Sequence, residues 1–372
     1  MLSITISILV IIGACLYISA ACNPFETAAD YLGRNMKPGI RGATINAIAS
    51  SLPELFTTMS FLFIHKNTAG FSSGVATTAG SAVFNMLVIP AVVILAVIFK
   101  LKKSGITVSK KTVIRDGSFY VASILALILV LNQPNIKLIH GLFLLAIYAG
   151  YVFTLIGMNK SIASEEEVEE DDEDETTYES NSLKAFLKFD YISVFTKDGI
   201  ITTKSAWIGL VISTIHVAIA CSFLSEAVVS LAGSFGMPTF FVAVVLASAA
   251  TSVPDTIMSL KDGMKGNYDD AISNAVGSNL FDICVSLGLP LTLYTLFNGS
   301  VTLGTDGKNV VELLTILVIV TLVALFFFLI PKKIGKVAAV TFIGIYVSYI
   351  TYALARGAGV HWAIALSNKI PG

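Results

Sequence analysis

The sequence predicts an all-α membrane protein of ten transmembrane helices, arranged as two inverted-topology repeats of five. Three observations carry that reading. The 372-residue chain is 55% apolar and only 13% charged, with a mean hydropathy of +0.81, whereas a soluble domain carries about 25% charged residues. The remaining charge is clustered, with ten of the 25 Asp and Glu in residues 165–175, EEEVEEDDEDE. A set of polar motifs inside apolar stretches recurs once in each half of the chain. Such a composition excludes a cytosolic enzyme, a nucleic-acid binder and a disulfide scaffold. Cys15, Cys22, Cys221 and Cys284 show no CxxC spacing and lie in apolar stretches, so they read as small hydrophobic residues. The net charge of −1 averages an acidic loop against basic ones and is silent on partners.

A membrane helix needs about 20 mostly apolar residues. Ten stretches qualify: about 3–32, 39–64, 71–99, 118–132, 138–158, 205–234, 238–261, 268–297, 310–330 and 336–355. Several are long enough to be tilted or broken. The tail 357–372 contains VHWAIAL, which is too short to span. The apolar opening lacks the basic segment of a signal peptide, and Ser19 fits poorly three residues before Cys22, so no cleavage is expected. Lys and Arg orient the chain. Across ten spans, 19 of the 24 fall on one side and five on the other. That split puts both termini outside and residues 159–204 in the cytoplasm, with a plasma or inner membrane as the host. The parts are then 1–158 (first repeat), 159–204 (cytoplasmic acidic linker) and 205–372 (second repeat).

The repeat is visible in the residues themselves. NAIASSLPELFTTMS (46–60) matches ASAATSVPDTIMSLK (247–261), which aligns Ser51, Pro53 and Glu54 with Ser252, Pro254 and Asp255. GSAVFNML (80–87) matches GSNLFDIC (277–284). FETAADYL (25–32) matches SEAVVSLA (225–232) more weakly, pairing Glu26 with Glu226. Five spans per half is an odd number, so the second half enters the membrane upside down. This is the plan of secondary transporters, whose sites lie near the midplane on broken helices at the repeat interface. Duplication alone could leave such a repeat without a shared site. The matched residues, however, are polar ones inside apolar helices.

An acid at a helix centre costs roughly 2.5–3.5 kcal/mol on insertion scales, and such residues are functional candidates. Glu54, Asp255 and Asp282 are deeply placed, with Glu226 nearer a helix end, and no Lys or Arg sits at comparable depth. Protons or bound cations must neutralise them. Ser51, Glu54 and Thr58 share one helical face, as do Ser248, Ser252, Asp255 and Ser259. Thr77, Ser81 and Asn85 are four apart, as are Asn274, Ser278 and Asp282. Pro53 and Pro254 each free the carbonyl four residues back, near Ala49–Ser50 and Ala250–Thr251. Free backbone at membrane depth is tolerated where it lines a site. Oxygen donors without His or Cys form a hard-cation set, and calcium takes about 6–8 of them. Any single Ser or Thr of the set reads first as a helix-packing residue; the acids do not. Three ionised acids are balanced by one Ca²⁺ plus one monovalent cation, or by three Na⁺.

SSLPELFTT, AGSAVFNML, ATSVPDTIMSL and NAVGSNLFDI resemble the two alpha-repeats of the sodium/calcium exchanger superfamily. The resemblance implies a ten-helix fold of two inverted repeats and electrogenic exchange of Na⁺ for Ca²⁺ by alternating access, with spans 1 and 6 sliding over a core of the rest. It implies Glu54 and Asp255 as central calcium carboxylates. Ser51, Ser252, Ser81 and Ser278 are then oxygen ligands, and Ser50 and Thr251 carbonyl donors. Asn85 and Asp282 occupy matching positions on spans 3 and 8. Asp255 after Pro254, and Asp282 in GSNLFD, are similar to the potassium-dependent branch; prokaryotic members carry an acid there without needing K⁺. The large members have hundreds of regulatory residues between spans 5 and 6, and the short linker here implies that regulatory calcium-binding domains are absent. No cofactor, nucleic acid or second subunit is implied; the partners are Ca²⁺, Na⁺, K⁺ in the potassium-dependent reading, and the lipid bilayer.

The acidic run 165–175 reads either as a cation-concentrating patch or as a solvated linker; no EF-hand spacing is present. His65, His140, His216 and His361 are scattered outside the four stripes, and His216 reads as a packing residue. A proton-coupled calcium exchanger of the same fold is the nearest rival, but the GNxxE context of that branch is lacking. An exchanger of another divalent cation follows, then a channel. No nucleophile–base pair or nucleotide loop supports an enzyme.

Overall fold

The computed structural model describes residues 3–34, 44–45, 47–65, 68–162, 201–303 and 306–370. The acidic run 165–175, and with it most of the expected linker, lies outside the described residues. The helices are α1 (Ile4–Leu32), α2 (Ala47–Ser50), α3 (Leu52–Phe63), α4 (Thr68–Lys100), α5 (Lys110–Leu131), α6 (Leu138–Ile162) and α7 (Thr203–Phe235). They continue with α8 (Thr239–Val242), α9 (Ser248–Thr251), α10 (Val253–Lys265), α11 (Tyr268–Phe281), α12 (Gly288–Asn298), α13 (Gly307–Leu329), α14 (Lys336–Gly357) and α15 (His361–Ser367). Wider π-helical turns occupy Ala243–Ala247, between α8 and α9, and Asp282–Ser286, between α11 and α12.

Among the described residues, eight helices are long and apolar enough to cross a membrane, or nine if the bent pair Thr239–Thr251 and Val253–Lys265 counts as one span. The expected second span, 39–64, falls partly outside the described residues; its described apolar helix is Leu52–Phe63. The expected fourth span was set at 118–132, but α5 starts at Lys110. Ser109 caps it by accepting from the Thr112 amide at 3.4 Å. Its early turns carry Arg115 and Asp116, whose charges make the segment look like a loop in hydropathy. α7 opens with a Thr202/Ser205 capping box and closes at Gly236, φ 63°.

α1 packs chiefly along α7, while α4 lies at the centre and touches α3, α10, α11, α13 and α14. Large apolar side chains such as Leu9, Leu16, Phe153, Phe223, Phe297 and Val337 are exposed on the outer faces, as lipid contact requires. Polar residues concentrate inside instead. The only extended pairings among the described residues are two isolated antiparallel bridges, Ile106 with Ile334 and Ile136 with Val301. The first joins the α4–α5 loop to the α13–α14 loop; the second joins the α12–α13 loop to the α5–α6 loop. Exchanging the halves of the chain therefore maps one bridge onto the other.

Candidate cation-binding site

Proline sets the site locally. Pro53 and Pro254 sit in the first turns of α3 and α10 and cannot donate to the preceding turn. The helix therefore breaks at Ser51 and again at Ser252, and the second break bends the segment by 40°. Glu54 and Asp255 follow in the first turn after each break, where the dipole of the new helix favours negative charge. α4 comes close because Gly80 has no side chain: a Cβ there would collide with the Val244 carbonyl and lie 2.9 Å from the Ser248 Cβ.

Glu54, Asp255, Asp282, Asn85, Ser51, Ser252, Ser81, Ser278, Ser50 and Thr251 are all completely buried. Ser81 Oγ donates to Glu54 Oε1 at 2.9 Å, and Ser278 Oγ, its counterpart in the repeat, donates to Asp255 Oδ1 at 2.7 Å. Ser81 and Ser252 hydroxyls lie 2.7 Å apart. The single Ser81 proton is directed at the carboxylate, so Ser252 is the donor of that pair. Ser50 lies 3.3 Å from Ser278 and beside Asp255, while Thr251 lies beside Glu54. Each half thus supplies a hydroxyl to the acid of the other. Asn274 Nδ2 donates to Ser259 Oγ at 3.0 Å and to the Asp255 carbonyl at 3.4 Å. The four stripes converge.

The correspondence stops at one position. Asn85 Nδ2 donates to Asp255 Oδ2 at 3.0 Å. Asp282, its counterpart, has no such donor to offer Glu54; it opens a π-helical turn, lies beside Ser51 and accepts from Ser286 at 3.5 Å. Its charge is within reach of both Glu54 and Asp255. Among the described residues no Lys, Arg or His pairs with any of the three acids. Ser51 Oγ, Glu54 Oε2, Asn85 Oδ1 and Asp282 Oδ2 are buried without a hydrogen-bond partner. These four orphaned oxygens, two of them on carboxylates that lack a cationic partner, are of the chemical type that a hard cation takes. Among the described residues no three carboxylates, imidazoles or thiols gather tightly enough to hold a metal alone, so the neutral oxygens are needed to complete a shell.

Other expectations met different outcomes. Glu26 is buried and paired with Lys261 at 3.2 Å, whereas the Glu226 side chain is 62% exposed and lies 3.9 Å from His65. The weak third motif therefore does not make an equivalent pair. His216 bonds the Ile212 carbonyl at 2.8 Å, and all four cysteines are free. Ser286 was missed, although it continues the Asn274–Ser278–Asp282 stripe by one more step of four. The sequence reading does not pick out the buried acids Asp116, Asp270 and Glu312. Asp116 and Glu312 carry arginine partners, at 2.6 Å from Arg115 and 3.9 Å from Arg356.

The family model described as sodium/calcium exchanger protein matches residues 6–157 and 205–355. The chain belongs to this family. Its two matched segments leave out the acidic linker. Human sodium/potassium/calcium exchanger 5 is 26% identical over 449 residues, covering 99% of this chain and 86% of the relative. Rat sodium/potassium/calcium exchanger 3 is 41% identical over 85 residues, which are 23% of this chain and 14% of the relative. Among solved structures, the sodium-calcium exchanger NCX_Mj matches with a TM-score of 0.58 at 18% identity, covering 94% of this chain and 99% of that one. The H⁺/Ca²⁺ exchanger CAX matches with a TM-score of 0.64 at 16% identity, covering 98% and 88%. The last two likenesses establish the fold. The chain is a multi-pass membrane transporter of the cation/calcium exchanger family, not an enzyme.

Proposed function

We propose that the chain is a secondary antiporter exchanging Na⁺ for Ca²⁺ by alternating access, with Glu54, Asp255, Asp282, Asn85, Ser51, Ser252, Ser81, Ser278, Ser50 and Thr251 around one ion path. The observation that carries the reading is the set of buried carboxylates without a cationic partner: Glu54 and Asp255 each accept from a serine of their own half and lie beside a hydroxyl of the other, with buried oxygens left over. Inverted repeats of five spans, 1–158 and 205–372, are supported by the exchanged loop bridges and by the paired serine–acid bonds. Calcium bound by Glu54 and Asp255 is neutral overall, and Asp282 retains a charge for a monovalent ion. Three Na⁺ satisfy the same three acids. Sites that hold either set but not both couple the two fluxes.

A second reading adds K⁺ as the monovalent partner of Ca²⁺. It is favoured by the orphaned Asp282 Oδ2 and by the names of the sodium/potassium/calcium exchangers that the chain resembles. Positive loops orient both termini outside and 159–204 in the cytoplasm of a plasma or inner membrane, and the ion path lies within one chain, so a monomer suffices. Calcium flux in proteoliposomes under imposed Na⁺, K⁺ or H⁺ gradients tests all of this. Uptake should follow an outward Na⁺ gradient and vanish in Glu54→Ala and Asp255→Ala. Uptake that follows a proton gradient and ignores Na⁺ assigns the chain to the H⁺-coupled alternative.

A further inference from the structure

Asp116 is a buried carboxylate outside the ion path, and every lone pair it directs has a donor. Its Oδ1 accepts from Arg115 Nε at 2.6 Å and from the Tyr151 hydroxyl at 2.9 Å. Its Oδ2 accepts from a second Arg115 nitrogen at 3.0 Å and from Ser273 Oγ at 3.0 Å. One side chain therefore ties α5 to α6 and to α11. Ser273 is adjacent in sequence to Asn274, which touches the Asp255 carbonyl and Ser259. One turn beyond is Ser278, which donates to Asp255, and then Asp282. α11 thus carries Asn274 and the ion-path residue Ser278 on one face, leads directly into Asp282, and has its anchor, Ser273, on another face.

We infer that Asp116, acting through Ser273, is a positioning residue that sets the rotation of α11 and so the geometry of the cation site; this rests on the exchanger reading above. A helix is rigid about its axis, with Cα atoms about 2.3 Å out. A rotation of roughly 20° moves side-chain oxygens by about 1–2 Å, against a Ca²⁺–oxygen range of about 2.3–2.6 Å. Holding α11 by a charge-assisted bond at Ser273, in its second turn, removes that freedom.

The second half contains an internal control. Glu312 is likewise buried beside an arginine; it accepts from the Tyr352 hydroxyl and from Ser367 Oγ, the latter at 2.5 Å. It ties α13 to α14 and α15, none of which carries a residue of the ion path. Both clamps join a carboxylate to a tyrosine and a serine hydroxyl, although only Arg115 hydrogen-bonds its acid, and only the first grips a site helix.

The test compares Ser273→Ala with Ser367→Ala. Ser273→Ala leaves Asp116 bonded to Arg115 and Tyr151, so the protein keeps its fold. Half-saturating Ca²⁺ should rise about three- to tenfold, with the maximal rate and the ion-free melting temperature close to wild type, because the loss is one of ligand placement. The preference for Ca²⁺ over Sr²⁺ should fall as well. Ser367→Ala should titrate as wild type. Half-saturation is also read from the Ca²⁺-induced rise in melting temperature in detergent, which needs no driving gradient. Absence of gradient-driven uptake by the wild type then sinks the exchanger reading separately. A Ser273→Ala protein that titrates with Ca²⁺ and Sr²⁺ as wild type overturns the positioning role, as does an equal shift in Ser367→Ala.

Discussion

Asp282→Asn separates the third charge of the site from its shape. Asn85 already shows that an amide is accommodated at the corresponding position of the repeat. Asp282 itself accepts from Ser286 at 3.5 Å, lies beside Ser51, and faces the charges of Glu54 and Asp255. Removing its charge relieves two like-charge repulsions, so the ion-free variant should melt higher than wild type. The monovalent ion loses its counter-charge. At an effective dielectric of about 20, unit charges about 3 Å apart interact by roughly 5–6 kcal/mol. Desolvation offsets part of this, and even half of it is about a hundredfold in affinity. Calcium keeps Glu54 and Asp255. The assay is the initial rate of Ca²⁺ uptake into proteoliposomes as Na⁺ and K⁺ are varied. The variant should transport Ca²⁺ with a flattened response to the monovalent ion that stimulates the wild type. An unchanged response to both Na⁺ and K⁺ in Asp282→Asn refutes the assignment of that charge.

Three further outcomes are expected. Gly80→Ala drives a methyl group into the Val244 carbonyl and against Ser248; overpacking of this kind costs about 1–3 kcal/mol, read as a lowered melting temperature in detergent. A Cys placed within 165–175 should resist impermeant thiol reagents in intact cells and react after permeabilisation; labelling from outside reverses the orientation. Burial holds the His65 imidazole below its ordinary range, opposed only in part by Glu226. The unfolded chain takes up that proton first, so stability falls as pH drops through the ordinary histidine range toward the lower folded value. The melting temperature should decline between about pH 7.5 and 5.5, and decline less in His65→Gln.

The proposed ion path was legible because its polar residues stand out against an apolar background, and because Pro53 and Pro254 mark where helices must break. Spacing alone put Ser81 and Ser278 on the faces where they meet Glu54 and Asp255. It could not say that Ser50 would reach Asp255 while Thr251 reached Glu54, since those contacts join segments distant in sequence. The π-helical turn at Asp282 has no signal in hydropathy or periodicity. Asp116 escaped for a different reason. A buried ion pair looks in sequence like a solvated loop, and Arg115–Asp116 moved the expected start of its helix eight residues late. Ser109, a cap placed just before Lys110, was the signal available for the true start.

The central claim is that one site between Glu54 and Asp255 takes Ca²⁺ and Na⁺ in alternation. Binding of radiolabelled Ca²⁺ to the purified protein in detergent, titrated with Na⁺, addresses it without reference to flux or orientation. The account predicts saturable Ca²⁺ binding that Na⁺ displaces cooperatively, and that is lost in both Glu54→Gln and Asp255→Asn although both proteins remain folded. Wild-type Ca²⁺ affinity in either variant, or Ca²⁺ binding that Na⁺ leaves untouched, contradicts it.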